Sequence, residues 1–255
     1  MPDYPPKIIE IVDETGLGEI VDCFRQSVLA EAGIVVVLTL LGAPGILIGD
    51  DVGRAMGAVA LGLALLCVPP LWLKARRRLY LCSNGLLLTT GDAVLKRLIA
   101  WEDVAYVRKW TTRVYQRGGS QDVERCILML KNGGKLNLAR PPYARDEELT
   151  AAIEHYMSEI SYPRRAMEIA ETGSSTFGPI TVTAEGVRDG DRLVRWSEIT
   201  GLERARVRLR IWTGFGRPAI SRQVRTIPDV AVLVALVAEG VERHRLHRQE
   251  PSADT

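Results

Sequence analysis

Two long uncharged apolar runs in the first third of the chain constrain its fold more than any other feature. They are Ala32–Gly49 and Ala55–Leu73, and only the five residues "DDVGR" separate them. As α-helices, both runs reach about 27 Å, close to the hydrocarbon thickness of a bilayer. A pair of buried helices in a soluble core is the alternative, but two such runs in succession are rare there. The pair predicts a transmembrane helical hairpin over residues 31–73, with spans at 32–49 and 55–73.

The charges on either side of the two runs predict their orientation. The turn between the runs contains Asp50, Asp51 and one arginine, whereas a basic segment directly follows the second run. That segment supplies Lys74, Arg76, Arg77 and Arg78. Because positively charged flanks stay on the cytoplasmic side, we expect a multi-pass protein of the cell (inner) membrane with both termini in the cytoplasm. The four basic residues are expected to face lipid head groups, so membrane lipids are a predicted partner.

The part of the chain after the second run is strongly basic. The 255 residues carry a formal net charge of +2, with 33 Lys and Arg and 31 Asp and Glu. Residues 1–73 hold three of the basic and nine of the acidic side chains, which leaves 30 and 22 in residues 74–255, a net of +8. Any anionic partner is therefore expected to bind this C-terminal part.

A pattern of short strands and turns occurs twice after the hairpin. The first copy reads "LYLCSNGLLLTTGDAVLKRLIAWEDVAYV" and the second "ITVTAEGVRDGDRLVRWSEITGL". In each copy two strands end at glycine turns, and a third strand runs into a tryptophan with an acidic residue two positions later. Further strands follow, and each copy closes with a helix that has an apolar face. The matching order predicts an internal duplication.

This arrangement resembles the pleckstrin-homology-like (PH-like) superfold, in which a bent antiparallel sheet is closed at one end by a helix. More narrowly, the chain is similar to a family of uncharacterised actinobacterial membrane proteins that join PH-like domains to a transmembrane hairpin. The similarity rests on the segments "LYLCSNGLLL", "IAWEDVAYV", "FGPITVTAEGV" and "VRWSEITGL". It implies membrane tethering together with scaffolding or ligand recognition, and it brings no catalytic residues.

The predicted fold class is an α+β membrane protein, with a two-helix transmembrane hairpin and two PH-like antiparallel β units that are each capped by a C-terminal helix. Residues 1–30 are expected to be an N-terminal cytoplasmic segment, whose stretch "GLGEIVDCFRQS" is a candidate strand of the first unit. The first PH-like unit is expected over 74–162, a second and shorter one over 163–246, and a disordered tail over 247–255.

The segment "ERARVRLRIW", residues 203–212, has an arginine at every second position. Period-two alternation is typical of a half-buried strand, so these arginines are expected on one side of a sheet. The candidate anion-binding face consists of Arg204, Arg206, Arg208 and Arg210. A solvated strand face with arginines paired to Glu198 or Glu203 is one interpretation, and a surface for anionic lipid is another. No recognition helix or aromatic pair accompanies the row, so we expect no nucleic-acid partner.

Signals for catalysis or metal binding are nearly absent. His244 and His247 are spaced to share a metal on a helix, but no cysteine or carboxylate is placed to complete a site. We therefore expect no catalytic residue, no metal and no cofactor. The four cysteines form no C-x-x-C and are expected to be reduced thiols. Trp101 and Trp196 hold matching places in the two copies, which favours core residues over ligand stacking.

These observations predict a non-enzymatic membrane-anchored scaffold or binding module. Its basic cytoplasmic PH-like domains would recognise anionic lipid or a protein partner. The alternative is an accessory subunit of a larger membrane enzyme or transport complex, in which the repeats hold a partner and lipid is incidental.

Overall fold

The computed structural model describes residues 4–25, 28–90, 94–116, 119–138 and 147–249. Within these ranges the fold is mixed α+β, with five α-helices and four antiparallel sheets. The chain divides into two compact units, Met1–Ala100 and Trp101–Thr255, called the N-terminal and C-terminal unit below. The α+β part of the predicted fold class is confirmed.

The N-terminal unit consists of one four-stranded antiparallel sheet and, among its described residues, three helices. In their order across the sheet, the strands are β1 (Ile20–Arg25), β2 (Arg77–Cys82), β3 (Gly85–Thr90) and β4 (Val94–Ala100). The helices are α1 (Pro6–Thr15), α2 (Leu29–Ile48) and α3 (Asp51–Ala75). Helix α1 packs Ile8 and Val12 against Tyr80 and Leu87 of the sheet, which gives this unit a small apolar core.

Helices α2 and α3 are inserted between two strands that pair with each other. Strands β1 and β2 are antiparallel neighbours, and Arg25 near the end of β1 lies opposite Arg78 near the start of β2. Directly opposite residues of an antiparallel pair are only about 5 Å apart. The chain therefore leaves the sheet through α2 and returns to the same end of the sheet through α3.

Glycines allow the backbones of α2 and α3 to lie close together. A Cβ added at Gly57 would lie 2.6 Å from the carbonyl oxygen of Gly42, and one added at Gly45 would lie 2.9 Å from that of Gly53. Small residues at such close contacts are typical of helix pairs in lipid, where packing of the two backbones stabilises association. Replacing these glycines would force the two helices apart.

Among the described residues, one helix is long and apolar enough to cross a membrane by its length and composition. This helix is α3, whose most apolar window has a mean hydropathy of 2.0, with 11% of that window buried inside the chain. Helix α2 contributes a shorter apolar stretch, Glu31–Leu47. The structure thus supports one candidate span, and the second crossing expected from the sequence stays a prediction.

The C-terminal unit contains, in its described ranges, three antiparallel sheets and two long helices. The first sheet has β5 (Val104–Gln116), β6 (Gly119–Leu130) and β7 (Lys135–Asn137), and α4 (Glu147–Thr172) follows it. The second has β8 (Ser174–Phe177), β9 (Ile180–Thr183), β10 (Gly186–Asp189) and β11 (Arg192–Arg195). The third has β12 (Gly201–Arg204), β13 (Arg208–Trp212) and β14 (Ile220–Gln223), and α5 (Val230–Gln249) follows it. Single-turn helices occupy Trp101–Asp103, Trp196–Glu198 and Val224–Thr226.

Both copies of the repeat have the same order of elements. Four strands, a single helical turn that begins with tryptophan, three strands and a closing helix occur first as β1 to α4 and again as β8 to α5. This order supports the predicted duplication. The second copy is complete, and it is shorter partly because the residues Gly178 and Pro179 join β8 to β9 where the first copy carries the α2–α3 hairpin.

Two boundaries expected from the sequence fall inside helices. Helix α4 continues through position 162 to Thr172, because Ala166 and Ile169 pack against the core of the second repeat. Helix α5 continues to Gln249, three residues into the segment expected to be a disordered tail. The remainder of that tail, 250–255, lies outside the described residues.

The second repeat has one apolar core that its two sheets and α5 share. Phe177 comes from the second sheet, Leu209 from the third and Leu233 from α5, and all three are fully buried. Trp110 of β5 and Tyr162 of α4 pack against the same core. Elements of the first repeat within the C-terminal unit are therefore fastened to the second repeat by apolar contact.

Candidate functional site

The arginine-rich segment forms a hairpin. Strand β12 ends at Arg204, β13 begins at Arg208, and the N–H of Ala205 donates to the carbonyl oxygen of Arg208 at 2.9 Å across the turn. The prediction of one strand over residues 203–212 is therefore wrong. The alternation of polar and apolar residues continues through the turn, which contains no Gly, Pro, Asn or Asp to mark the reversal.

All four candidate arginines have a polar partner. Arg204 lies 2.5 Å from Glu154, Arg206 pairs with Asp122, Arg208 donates to Ser221 at 3.0 Å, and Arg210 lies 3.2 Å from Glu203. Three of the four guanidinium groups thus contact a carboxylate. These contacts favour the interpretation of a paired, solvated face, in which Glu203 is the partner of Arg210.

Two of these pairs connect the second repeat to β6 and α4. Glu154 also lies 3.3 Å from Lys109, whose ammonium lies 3.3 Å from Glu124. The side chain of Lys109 is only 12% exposed, so this part of the network is shielded from water. Asp122 accepts a hydrogen bond from Arg113 at 3.0 Å, and that bond holds the pKa of Asp122 below its ordinary value. The arginine hairpin of the second repeat therefore forms ion pairs with α4 and β6 of the first repeat.

A basic cleft of about 240 Å³ lies beside the β12–β13 turn. It is lined by Trp110, Thr111, Thr112, Arg113, Val207, Gln223 and Arg225. Arg113 shares the single carboxylate of Asp122 with Arg206, and Arg225 has no carboxylate partner among the described residues. The cleft is smaller than the ~300–1,000 Å³ of pockets for drug-sized ligands. It suits one compact anionic group such as phosphate, which guanidinium groups bind well.

The four residues predicted to face lipid lie at the junction of α3 and β2. The ammonium of Lys74 lies 3.1 Å from Glu31, and the guanidinium of Arg76 stacks 3.8 Å from the centre of a tryptophan ring in α3. Arg77 and Arg78 are the first two residues of β2 and are half-buried. The structure brings these residues to one end of the sheet, where the charge of Lys74 is already balanced.

The same end of the sheet also carries exposed apolar side chains. Arg77 pairs with Thr90 of β3, and Thr90 pairs with Val94 of β4. Val94 is 65% exposed and its neighbour Leu95 is 47% exposed. The sheet end next to the hairpin therefore combines arginines with apolar groups.

The two tryptophans that hold matching places in the repeats have different surroundings. Trp101 is 2% exposed and stacks on Tyr156, with ring centroids 6.3 Å apart and planes 12° from parallel. Trp196 is half-buried, donates its indole N–H to the carbonyl oxygen of Ala184 at 2.9 Å, and lines a cavity of about 230 Å³. The interpretation as a core residue is confirmed for Trp101, whereas Trp196 packs against the core of the second repeat and also borders the cavity.

A protein-family model matches residues 7–245, from α1 to α5. The chain belongs to DUF6585, a family of unknown function. No curated protein and no solved structure matches this DUF6585 chain. The matched residues include the α2–α3 hairpin and nearly all of both copies of the repeat in this chain.

Metal-ligating and nucleophilic groups are scarce in the described part of the DUF6585 chain. No three His, Cys, Asp or Glu residues in the described ranges are grouped so that they could hold a metal ion. All four cysteines are free, as the sequence predicts. Burial raises the pKa of Cys82 to about 11 and that of Cys126 to about 12. Both therefore remain neutral thiols at physiological pH and are poor nucleophiles.

Sequence reasoning missed the residues of this DUF6585 chain that line the basic cleft on the side formed by β5. Trp110 and Arg113 belong to β5, in the stretch "VRKWTTRVYQ". Nothing local in that stretch indicates that β5 will lie beside residues 205–207. Only the packing of the two repeats within the C-terminal unit brings these side chains together.

Proposed function

We propose that this DUF6585 chain is a non-enzymatic, membrane-anchored binding module. The α2–α3 hairpin crosses the bilayer twice, and both termini and both PH-like repeats lie in the cytoplasm. The sheet end that contains Arg25 and Arg78 rests on anionic lipid head groups. The observation that carries this proposal is the insertion of the hairpin between two paired strands.

The pairing of β1 with β2 restricts how the chain can cross a bilayer. A single crossing by α3 would place β1 and β2 on opposite sides of the membrane, which is incompatible with their hydrogen-bonded register. If α3 crosses, α2 must cross in the opposite direction. Helix α2 has 20 residues and is about 30 Å long, which is enough for the hydrocarbon core.

The outward surface of the hairpin is apolar on both helices. Leu47 of α2 is 78% exposed and Leu65 of α3 is 75% exposed, while glycines occupy the contact between the helices. In water, each such leucine forgoes the roughly 1.5–3 kcal/mol that full burial contributes. Lipid acyl chains cover these side chains, so the arrangement of small residues inside and leucines outside suits a bilayer.

The order of elements supports a PH-like assignment for the repeats. Each has a four-stranded and a three-stranded antiparallel sheet followed by a closing helix, and in the second repeat these parts share one core. The proposed role of such a unit is to bind anionic lipid or a protein partner, and this role requires no catalytic residue.

Anionic lipid is the ligand that the distribution of charge favours. Arg25 and Arg78 lie opposite each other at the sheet end that continues into the hairpin, with Arg76 beside them. The negative potential of the cytoplasmic leaflet is worth about 1 kcal/mol for each Lys or Arg near the surface. The exposed Val94 and Leu95 at the same end suit the boundary between head groups and acyl chains.

Membrane extraction tests the anchor. The full-length chain should stay in the membrane pellet through an alkaline carbonate wash and be released only by detergent. Replacing Leu47 and Leu65 together by Asp should remove the chain from the pellet, whereas replacing both by Ala should leave it there. Wild-type chain in the carbonate supernatant would contradict the proposal.

Lipid selectivity tests the ligand. In nanodiscs that contain phosphatidylglycerol and a neutral lipid, the full-length protein should retain the anionic lipid preferentially, as measured by native mass spectrometry. Replacing Arg25 and Arg78 by Gln should reduce that preference, whereas replacing Arg188, an exposed arginine on β10, should not. Replacing Arg113 and Arg225 by Gln measures how much the basic cleft contributes to the preference for anionic lipid.

Two results would exclude lipid recognition. One is equal retention of neutral and anionic lipid by the wild type and all variants. The other is a stoichiometric protein that copurifies in mild detergent with wild type and arginine variants alike, which would support an accessory subunit of a larger complex.

A further inference from the structure

In the first repeat a tyrosine of the closing helix covers the tryptophan that follows the fourth strand. Tyr156 of α4 stacks on Trp101. Along α4, Tyr156 lies seven residues after Leu149 and three after Ile153, and both of those side chains are fully buried. This spacing defines the position of the tyrosine on the helix.

In the second repeat the same position holds a glycine. Gly240 lies seven residues after Leu233 and three after Val237, which are fully buried residues of α5. A Cβ added at Gly240 would lie 3.0 Å from the indole carbons of Trp196, so the helix backbone lies directly against that ring. The second repeat lacks an equivalent of the Tyr156 ring, and its tryptophan borders the cavity of about 230 Å³.

This cavity has an apolar wall and a polar end. The apolar wall consists of Ala166, Ile169, Val182 and Leu236 together with the indole of Trp196. At the polar end, Glu239 is already engaged by the hydroxyl of Tyr162 and by Arg243 at 2.6 Å. The Nε2 of His244 is covered and has no hydrogen-bond partner among the described residues. Because buried polar atoms are generally hydrogen-bonded in folded proteins, Nε2 of His244 is available to pair with a polar group in the cavity.

We propose that the cavity binds a phenolic ring, which stacks on Trp196 much as Tyr156 stacks on Trp101. The hydroxyl of that ring pairs with Nε2 of His244 once the imidazole turns toward the cavity. A free soluble phenol or the side chain of a tyrosine can supply this chemistry. The site lies within the C-terminal unit and does not depend on whether the hairpin crosses a membrane.

Calorimetric titration of the full-length protein in detergent tests the proposal with two water-soluble probes, 4-hydroxyphenylacetate and N-acetyltyrosinamide. Phenylacetate, which lacks the hydroxyl, is the matched control ligand and should bind about fivefold more weakly than 4-hydroxyphenylacetate. Trp196→Leu should weaken binding of both phenols about tenfold. Trp212→Leu, which alters a half-buried tryptophan of β13 outside the cavity lining, should leave binding unchanged.

Filling the cavity from within the chain should abolish binding. Gly240→Tyr adds a ring to α5 next to the cavity, at a position where a Cβ already lies 3.0 Å from the indole carbons of Trp196. Ala166→Leu fills the cavity from α4 and leaves the contact between helix and indole unaltered, so it keeps the test valid if Gly240→Tyr fails to fold. His244→Phe keeps a ring but removes Nε2, and it should erase the preference for the hydroxylated ligand.

The two probes distinguish the sources of the ring. Binding of N-acetyltyrosinamide as well as 4-hydroxyphenylacetate supports a tyrosine side chain as the ligand, and binding of 4-hydroxyphenylacetate alone supports a free phenol. Absence of saturable binding for both probes overturns the proposal. Binding that survives Ala166→Leu and Trp196→Leu overturns it equally.

Discussion

Arg25 and Arg78 lie directly opposite each other on neighbouring strands, although the whole α2–α3 hairpin separates them in the sequence. Like charges in this position repel each other, and the repulsion costs stability unless an anion lies near both. The pair occupies the sheet end at which both helices of the hairpin join the sheet. Under the proposed function, anionic lipid supplies the compensating charge.

Changing Arg25 to Glu should make the fold less dependent on anionic lipid. Opposite charges on directly opposed residues contribute roughly 0.2–1 kcal/mol, so Arg25→Glu should unfold at a higher temperature than wild type in nanodiscs of neutral lipid. Adding anionic lipid should stabilise the wild type more than this variant. Arg25→Gln removes the repulsion without adding attraction, so its unfolding temperature should lie between those of wild type and Arg25→Glu. An equal gain from anionic lipid in all three proteins would rule out this role for the pair.

Gly57 should tolerate no larger side chain, because the backbone of α2 occupies the space beside it. A Cβ there would lie 2.6 Å from the carbonyl oxygen of Gly42, whereas a Cβ at Gly62 of the same helix meets nothing within 4 Å. Overpacking of this kind typically costs about 1–3 kcal/mol. Gly57→Leu should therefore lower the thermal midpoint in detergent, and Gly62→Leu should not. Equal midpoints for the two variants would show that the close helix contact is absent.

Lys109 should contribute more to stability than Arg206, although both form ion pairs. The shielded ammonium of Lys109 lies between Glu124 and Glu154, so Lys109→Met leaves two neighbouring carboxylates without their shared cation and should cost roughly 2 kcal/mol. The Arg206 side chain is 73% exposed, so Arg206→Ala should cost less than about 1 kcal/mol. The denaturant midpoints of the two full-length variants, compared with that of wild type, measure both losses of stability. A larger loss for the Arg206 variant would contradict the shielding argument.

Asp229 should make stability depend on pH in the acid range. Its Oδ1 accepts the N–H of Val107 at 2.8 Å, its own N–H donates to the carbonyl oxygen of Val107 at 2.8 Å, and burial raises its pKa above the ordinary value. Since the pKa is higher in the folded than in the unfolded state, the stability that protonation contributes is fully present below the unfolded-state pKa. It is lost as the pH rises through the folded-state pKa.

The variant Asp229→Asn isolates this effect. The amide keeps the acceptor for Val107 and tolerates the positive φ of 47° at this position, but it does not titrate. The difference in unfolding free energy between wild type and Asp229→Asn should change with pH through the acid range and level off above it. Asp229→Ala, which also loses the hydrogen bond, should be about 1–3 kcal/mol less stable than Asp229→Asn at any pH. A difference independent of pH throughout would refute the raised pKa.

The large elements were predictable from the sequence because their signals are local. The uncharged runs 32–49 and 55–73 correspond to helices Leu29–Ile48 and Asp51–Ala75, since run length alone separates such helices from strands. The repeated tryptophan with an acidic residue two positions later likewise marked the end of a strand in each copy, at Trp101 and Trp196. Both signals depend only on residues close in sequence.

The contacts of the candidate site were not predictable, because they join residues far apart in the chain. Whether Arg206 is free depends on Asp122, which lies 84 positions away and reaches it only because β6 packs beside the β12–β13 turn. That turn itself contains no residue that favours a reversal. The close contact between α5 and Trp196 depends on the absence of a side chain at Gly240, and these two residues lie 44 positions apart in the chain.

The topology of the hairpin tests the central claim most directly. In the variant Asp51→Cys, the introduced thiol lies where α3 begins, next to the turn between α2 and α3, while native Cys23 lies on β1 at the other end of the hairpin. A membrane-impermeant maleimide should label the introduced thiol in intact cells and label Cys23 only after lysis, as read by peptide mass spectrometry. Labelling of the introduced thiol only after lysis would contradict the account, because the hairpin would then not reach the far side of the membrane.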